Sequence, residues 1–306
     1  MKPMTRSWSA ALAGTAALAA CVATAVMMTS VEALADTTAT VATPDATNAS
    51  VTNIETPTYK KILDRVGVMF ISQWYGSSVG RITDPVQPDE YGLTKEAGND
   101  PQEFDNTLLT TYKLNDNGLV AGFAVNEVFY MYGKGHVFVD PYLKIAKSNL
   151  VKNGGFTFGG DFRTYLPVSR GSHNSDRLTR FRSFSTANYD IPNTKFSLQS
   201  FNDINYYVYG SNAAADARDL LVLVQPTINY QPLTQLGFYV GYELDAKHTK
   251  NKDTFDLTAA GTWLYAGTSW DVTPKMNFSP YLAFRPGGAV NADSTQIQAY
   301  FTYKLL

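Results

Sequence analysis

The sequence contains little cysteine, little charge and no long apolar run beyond its first segment. The only cysteine, Cys21, lies near the N-terminus, so the rest of the 306-residue chain can form neither a disulfide nor a thiolate metal site. Charged residues make up 17% of the chain and the net charge is -2, which argues against a nucleic-acid partner. After residue 35, no stretch approaches the roughly 18 apolar residues that a membrane-spanning helix requires.

The first 35 residues have the organisation of a secretory signal peptide. Lys2 and Arg6 form a basic start, and residues 10–28 are apolar with a few Thr and Ser. Residues 33–35 read Ala-Leu-Ala, which is an A-x-A cleavage pattern. We therefore predict a signal peptide over 1–35, with an N-terminal membrane anchor as the alternative.

Cys21 raises a second alternative, because Leu-Ala-Ala-Cys at 18–21 resembles a lipoprotein cleavage box. The apolar residues that continue over 22–28 argue against lipidation. Residues 36–59 are rich in Thr, Ala and Asn and show no periodicity, which predicts a disordered periplasmic leader.

A strand, a tight turn and a second strand are evident in YKLNDNGLVAGFAV, residues 112–125. Apolar and polar residues alternate before the turn, and the apolar positions Leu119, Ala121, Phe123 and Val125 follow it at a spacing of two. Between them lie four turn-forming residues, Asn-Asp-Asn-Gly. This segment predicts a β-hairpin.

The same pattern recurs along residues 60–306. Connections alternate between short turns, such as 115–118 and 152–155, and longer polar loops, such as 76–105 and 167–177. We predict an all-β fold: a single antiparallel transmembrane β-barrel of about twelve strands, with short periplasmic turns and longer extracellular loops. The predicted strands are 66–75, 106–115, 119–131, 137–148, 155–166, 178–189, 195–207, 219–230, 233–246, 255–271, 275–286 and 295–305.

The chain contains 19 Tyr and 17 Phe. Aromatic residues cluster near the ends of these strands, where a barrel would meet the membrane interfaces. The sets are Tyr112, Tyr189, Tyr230 and Trp270 beside short turns, and Trp74, Tyr75, Tyr130, Tyr132, Tyr206, Tyr207 and Tyr209 beside long loops. In this pattern, residues 60–306 resemble bacterial outer-membrane β-barrel proteins of the porin-like kind. The extra Leu306 after the alternating C-terminal residues departs from their usual ending.

That resemblance implies a location in the outer membrane of a Gram-negative bacterium, reached by export through the periplasm. It implies contact with lipid and lipopolysaccharide, insertion by the barrel-assembly machinery and passage of small polar solutes. It implies no cofactor, and it leaves a homo-oligomer open. Pro141, Pro226 and Pro280 fall within predicted strands and indicate bulges or strand ends there.

Strand alternation places charged side chains on the face opposite the apolar one. Those we predict to line a pore are Lys144, Asp161, Arg163, Arg180, Arg182, Glu243, Asp245 and Arg285. Basic residues exceed acidic ones among all inward-facing positions, so one hypothesis is a conduit that mildly favours anions. The other is that these charges pair across the lumen and fill it.

Three functions remain open at this point. The leading one is passive diffusion of small polar solutes, with no enzymatic activity. A structural or adhesive barrel with a plugged lumen is the first alternative. The second is a lipid hydrolase using His173 and Ser175, because RGSHNSDR at 170–177 loosely resembles the His-x-Ser-Asn stretch of outer-membrane phospholipase A, although Asp176 stands where Asn would be expected.

Two further features of the sequence bear on metal binding: the histidines at 136 and 248, and the acidic loop 76–105. His136 and His248 lie in separate predicted loops and suggest no metal site. Loop 76–105 carries seven acidic residues without the spacing of a calcium loop. It would either cover the surface or fold inward and narrow the pore.

Overall fold

A computed structural model describes residues 63–82, 102–131, 135–252, 255, 263–284 and 290–306. The predicted signal peptide and leader lie outside these residues, as do most of loop 76–105 and Arg285. Among the described residues, no helix is long and apolar enough to cross a membrane.

Twelve antiparallel strands form one closed barrel, which confirms the predicted fold class. Each strand pairs with its sequence neighbours, and β12 pairs with β1. The strands are β1 Val66–Ser78, β2 Glu103–Lys113, β3 Leu119–Tyr130, β4 His136–Asn153, β5 Phe156–Tyr165, β6 Arg177–Asp190, β7 Phe196–Tyr209, β8 Arg218–Leu233, β9 Leu236–Thr249, β10 Trp263–Thr273, β11 Met276–Phe284 and β12 Thr295–Lys304.

Closure depends on the register between the first and last strands. Met69 of β1 lies opposite Lys304 of β12, and the pairing continues to Tyr75 opposite Gln298. The ladder therefore has no free edge along these strands. An unpaired edge would expose backbone N–H and C=O groups that lipid cannot satisfy.

The turn between β2 and β3 shows why the predicted hairpin forms. Leu114 N donates to Leu119 O at 2.9 Å, and Leu119 N donates to the Asn115 side-chain oxygen at 3.1 Å. Gly118 has a φ of 80°, a left-handed conformation that costs a glycine little. The four turn residues thus reverse the chain and satisfy the ends of both strands.

Connections alternate in length around the barrel, as predicted, with one exception: residues 131–135 form a connection no longer than the turns 114–118 and 191–195. The turns 114–118, 154–155, 191–195, 234–235 and 274–275 lie at one end, here called the turn end. The connections 79–102, 131–135, 166–176, 210–217, 250–262 and 285–294 lie at the other, the loop end. The start of β1 and the end of β12 both lie at the turn end, where Leu305 N donates to Val68 O at 2.8 Å.

The outer face of the barrel is apolar and the inner face is polar. Leu143, Ile145 and Phe123 point outward and are 52%, 42% and 42% exposed. Asp161 and Asp203 point inward and are buried. This is the reverse of a soluble protein, and it suits a barrel whose solvent on the outside is lipid.

The aromatic prediction is right at one end of the barrel and partly wrong at the other. Tyr112, Tyr189, Tyr230 and Trp270 are exposed at the turn end. At the loop end, four of the aromatics predicted to lie at the membrane interface are inner-facing by register instead: Tyr75, Tyr130, Tyr207 and Tyr209. Tyr130 and Tyr207 are buried. Tyr132 lies outside the described residues. Alternation along each strand sends every second residue inward, so nearness to a loop does not set the direction.

The three strand prolines have different settings. Pro141 lies at a register shift between β3 and β4, where two residues of β4 oppose one of β3. It therefore sits in a bulge. Pro226 opposite Ser200 and Pro280 opposite Ala299 lie in regular register, within strands rather than at their ends.

Candidate functional site in the barrel lumen

The structure brings five of the predicted pore-lining residues together on three adjacent strands. Lys144 of β4 lies opposite Arg163 of β5, which lies opposite Arg182 of β6. Asp161 and Arg180 are two residues away along the same inner face. Glu243 and Asp245 also face inward, but on β9, away from this group.

Ion pairs dominate the inner side of β4 to β7, which we call the basic wall (Lys144, Asp161, Arg163, Arg182 and Asp203). Asp161 accepts hydrogen bonds from Arg163 Nε at 2.6 Å and Nη2 at 2.8 Å, and Lys144 Nζ lies 3.6 Å away. Arg182 Nε donates to Asp203 Oδ1 at 2.8 Å. Two carboxylates therefore compensate three cations, which have little exposure to water.

Arg180 differs from its neighbours because no carboxylate among the described residues pairs with it. Its Cζ atom lies 3.5 Å from the centroid of the Tyr165 ring, so the guanidinium stacks on that ring. Three guanidinium carbons surround Tyr207, the next inner-facing ring: those of Arg177 at 5.9 Å, Arg180 at 6.0 Å and Arg218 at 5.4 Å.

Neutral hydrogen bonds characterise the inner side of β1 and β9 to β12, which we call the tyrosine wall (Gln73, Tyr239, Tyr265, Tyr281 and Gln298). Gln73 Nε2 donates to the Tyr281 hydroxyl at 2.8 Å, and that hydroxyl donates to Gln298 Oε1 at 2.6 Å. Tyr239 and Ser279 hydroxyls are 3.2 Å apart. Hydrogen bonds between neutral groups thus hold Gln73, Tyr239, Tyr281 and Gln298 on the tyrosine wall.

Acidic residues beside the tyrosine wall have no ion-pair partner among the described residues. Glu243 accepts a hydrogen bond from the Tyr265 hydroxyl at 2.8 Å. Asp105 Oδ1 and Asp245 Oδ1 are buried without a hydrogen-bond partner in the described part of the chain.

The two walls interact across the lumen. Tyr300 on β12 lies six strands from β6 in the ring of twelve, which is the opposite side. Its hydroxyl nevertheless interacts electrostatically with Arg163 and Arg182. The cations of the basic wall therefore act electrostatically across the lumen.

The segment 170–177 was predicted to be a loop, and this is partly wrong, since Arg170–Asn174 forms a short helix, α1. Ser169 caps it by accepting a hydrogen bond from Ser172 N at 3.2 Å. His173 is exposed, and Ser175 Oγ donates to the carbonyls of Gly171 and Ser172. No hydrogen bond joins His173 to Ser175 in this described segment.

Sequence reasoning missed the residues that hold this connection to the barrel. Ser172 Oγ donates to Asp140 Oδ2, and Arg177 Nη2 lies 3.1 Å from the same oxygen. The sequence places Arg177 in the predicted loop 167–177, whereas β6 begins at Arg177, with a register shift between residues 177 and 179. A strand-parity argument cannot locate a side chain beyond such a shift.

The remaining histidines form ordinary pairs. His136 Nδ1 lies 3.8 Å from Glu127, and His248 Nδ1 lies 2.6 Å from Asp219. Within the described ranges, no group of three His, Cys, Asp or Glu side chains is arranged to hold a metal ion.

The closed antiparallel barrel with an apolar outside defines the class: this is a transmembrane β-barrel protein. Among solved structures, the chain is similar to a KdgM porin in complex with disordered oligogalacturonate, at 10% identity and a TM-score of 0.42. It is also similar to a KdgM porin at 11% identity and a TM-score of 0.40. Each comparison covers 78% of this chain and 98% of the other. No family model matches, and no curated protein matches.

Proposed function

We propose that the protein is a channel for passive diffusion of small polar solutes across the outer membrane, with a weak preference for anions. The observation that carries this proposal is the separation of the two faces, since polar and charged side chains face the lumen and apolar ones face outward. A polar lining lowers the cost of bringing a hydrated solute into the membrane. No residue needs to perform covalent chemistry.

Strand number supports an interior wide enough for passage. A barrel of about eight strands has an interior that side chains just fill, and the diameter grows with strand number. This barrel has twelve strands. The inner diameter therefore exceeds the filled case before side chains are placed.

The anion preference is proposed from unpaired cations at the loop end. Among the described residues Arg180 and Arg218 form no salt bridge, although Asp245 interacts with Arg218 at longer range, whereas Arg163 and Arg182 are neutralised by Asp161 and Asp203. Fixed charges in a lumen attract the opposite ion over about a Debye length, roughly 8–10 Å. Acidic residues on β9 oppose this field, so we expect a small preference.

The proposed channel would reach the outer membrane by export through the periplasm. The N-terminal segment 1–35 would direct the chain to the periplasm, and barrel-assembly machinery would insert it among lipid and lipopolysaccharide. The chain enters β1 and leaves β12 at the turn end, which suits a periplasmic leader.

A structural barrel with a closed lumen is the second candidate, and the burial of inner side chains favours it. Tyr142, Tyr165 and Asp161 are only 5%, 4% and 7% exposed. The Tyr142 and Tyr165 rings also pack together, with 5.0 Å between their centroids, and this packing narrows the lumen. The two candidates share the fold and differ in whether water fills the middle.

Single-channel recording in planar bilayers separates them. The full chain, refolded in detergent, should give discrete conductance steps whose reversal potential in a salt gradient lies slightly on the anion side. A sample heated in SDS is the control and should give none. Complete absence of conductance from a folded sample would reject the channel and leave the structural barrel.

A further inference from the structure

We propose that the loop end of the lumen contains a discrete binding site for the carboxylate group of an organic solute, formed by Arg180 and Arg218 beside Tyr207. The proposal rests on the proposed channel function for the route by which a solute reaches the site. It goes further in assigning a stoichiometric site with defined geometry, where the channel proposal requires only a diffuse field.

The Arg180 guanidinium is stacked on an aromatic ring and, within the described part of the barrel, has a free N–H edge. Its guanidinium stacks on Tyr165 with 3.5 Å between Cζ and the ring centroid. Stacking occupies one face of the planar group and leaves its N–H edge free to donate. No acceptor among the described residues takes a hydrogen bond from Arg180, whereas Arg163 and Arg182 donate to carboxylates two residues or one strand away.

Two arginine side chains that form no salt bridge with the described residues lie near the Tyr207 ring. Arg218 lies with its Cζ 5.4 Å from this ring, and Arg180 lies at 6.0 Å. Both guanidinium groups are therefore held close to one rigid, buried ring. Arg177 at 5.9 Å is the third, but Asp140 already neutralises it.

The balance of charge near the ring favours an anion. Asp245 interacts with Arg218 and with Lys247, so one carboxylate is shared between two cations. Asp219 also acts on Tyr209, but it is paired with His248 at 2.6 Å. Lys250 adds a further cation, 5.7 Å from the neighbouring Tyr209 ring. A ligand carboxylate would supply the missing negative charge.

Guanidinium geometry selects the chemical group. The two oxygens of a carboxylate match the parallel N–H groups of one Arg in a bidentate contact, and such charge-assisted bonds are about twice as strong as neutral ones. A Lys at the same place would supply charge without the fork. The site should therefore bind a carboxylate more tightly than a neutral molecule of the same shape. It should also bind the carboxylate more tightly with Arg at position 180 than with Lys there.

Calorimetry on the full chain refolded in detergent tests this directly, with benzoate as the probe and benzamide as its neutral isostere. We expect saturable binding of benzoate and none of benzamide. Arg180→Gln and Arg218→Gln should each weaken binding by about ten-fold or more, and Arg180→Lys should weaken it less. Lys152→Gln removes the same charge from an exposed position at the turn end and should leave binding unchanged.

Benzamide binding as tightly as benzoate, or benzoate binding unaffected by both arginine variants, would overturn the site. Unheated migration in SDS confirms folding, and Arg218→Gln carries the test if Arg180→Gln fails to fold. Bilayer recording keeps the two proposals apart. Arginine-dependent benzoate binding without conductance rejects the channel and retains the site, whereas conductance without benzoate binding rejects the site and retains the channel.

Discussion

The basic wall and the tyrosine wall use different interactions to hold polar side chains inside the same barrel. On the basic wall, Asp161 and Asp203 each compensate charges that would be costly to leave alone in a confined space. On the tyrosine wall, Tyr281 is linked to Gln73 and Gln298 by neutral hydrogen bonds. One wall depends on paired charges, and the other does not.

This difference suggests a division of labour. Neutral hydrogen bonds are worth about 1 kcal/mol each and tolerate the loss of a partner better than ion pairs do. Charges set a local field, and only those left uncompensated act on a passing ion. The tyrosine wall would then shape the lumen, and the unpaired cations beside the basic wall would set its selectivity.

The largest effect should follow from breaking the basic wall. Asp161→Asn leaves both Lys144 and Arg163 without their shared carboxylate, so we expect about 3 kcal/mol less free energy of unfolding, measured in urea from folded barrels. The control is Asp116→Asn, whose side chain is 97% exposed and pairs only with Arg65. It should cost at most about 0.5 kcal/mol. Equal losses from the two variants would contradict the comparison.

Breaking the tyrosine wall should have a smaller effect. Tyr281→Phe removes one hydroxyl and leaves Gln73 Nε2 without its acceptor and Gln298 Oε1 without its donor, which should lower the free energy of unfolding by about 1–2 kcal/mol. Tyr112→Phe, at an exposed outer position, is the matched control and should change little. A loss as large as that of Asp161→Asn would show that the two walls are equally sensitive.

Selectivity should respond to the unpaired cation and not to a neutralised pair. Arg180→Gln should shift the reversal potential in a salt gradient slightly toward cations, more at low salt than at high. Arg182→Gln combined with Asp203→Asn removes a charge pair without changing net charge, so it should leave the reversal potential in place. The opposite outcome, a shift only in the double variant, would assign the field to the paired residues.

The smallest effect is expected at the loop end outside the lumen. His173→Ala should leave phospholipid cleavage at background, because no hydrogen bond links His173 to Ser175 in α1. The measurement is hydrolysis of a fluorescent phospholipid by the refolded protein. Substantial wild-type activity that this substitution abolishes would support the hydrolase hypothesis.

Much of the fold could be predicted because barrel strands and turns leave local signals. Period-two alternation identified the strands, and Asn115 to Gly118 identified a turn whose hydrogen bonds the structure confirms. Inner and outer faces followed from the same alternation, so Arg163 and Phe162 were assigned to opposite sides correctly. These features depend only on neighbours in sequence.

The partners in the lumen could not be predicted, because they depend on register and on side-chain reach. Asp161 binds Arg163 on its own strand and Lys144 on the next, a choice that composition does not reveal. Arg177 falls in a predicted loop although it begins β6, and Tyr207 falls near a predicted interface although it faces inward. Local pattern thus predicted the faces of the barrel but not the contacts within it.

The most direct test of the central claim uses the lack of cysteine after Cys21. In a Cys21→Ser background, Arg180→Cys introduces a single thiol that faces the lumen, and Phe181→Cys introduces one that faces lipid. A charged, membrane-impermeant thiol reagent should modify position 180 quickly and reduce the current, and it should leave position 181 unmodified. Modification at 181 but not at 180 would contradict the assignment of faces, and protection at both positions would contradict a water-filled lumen.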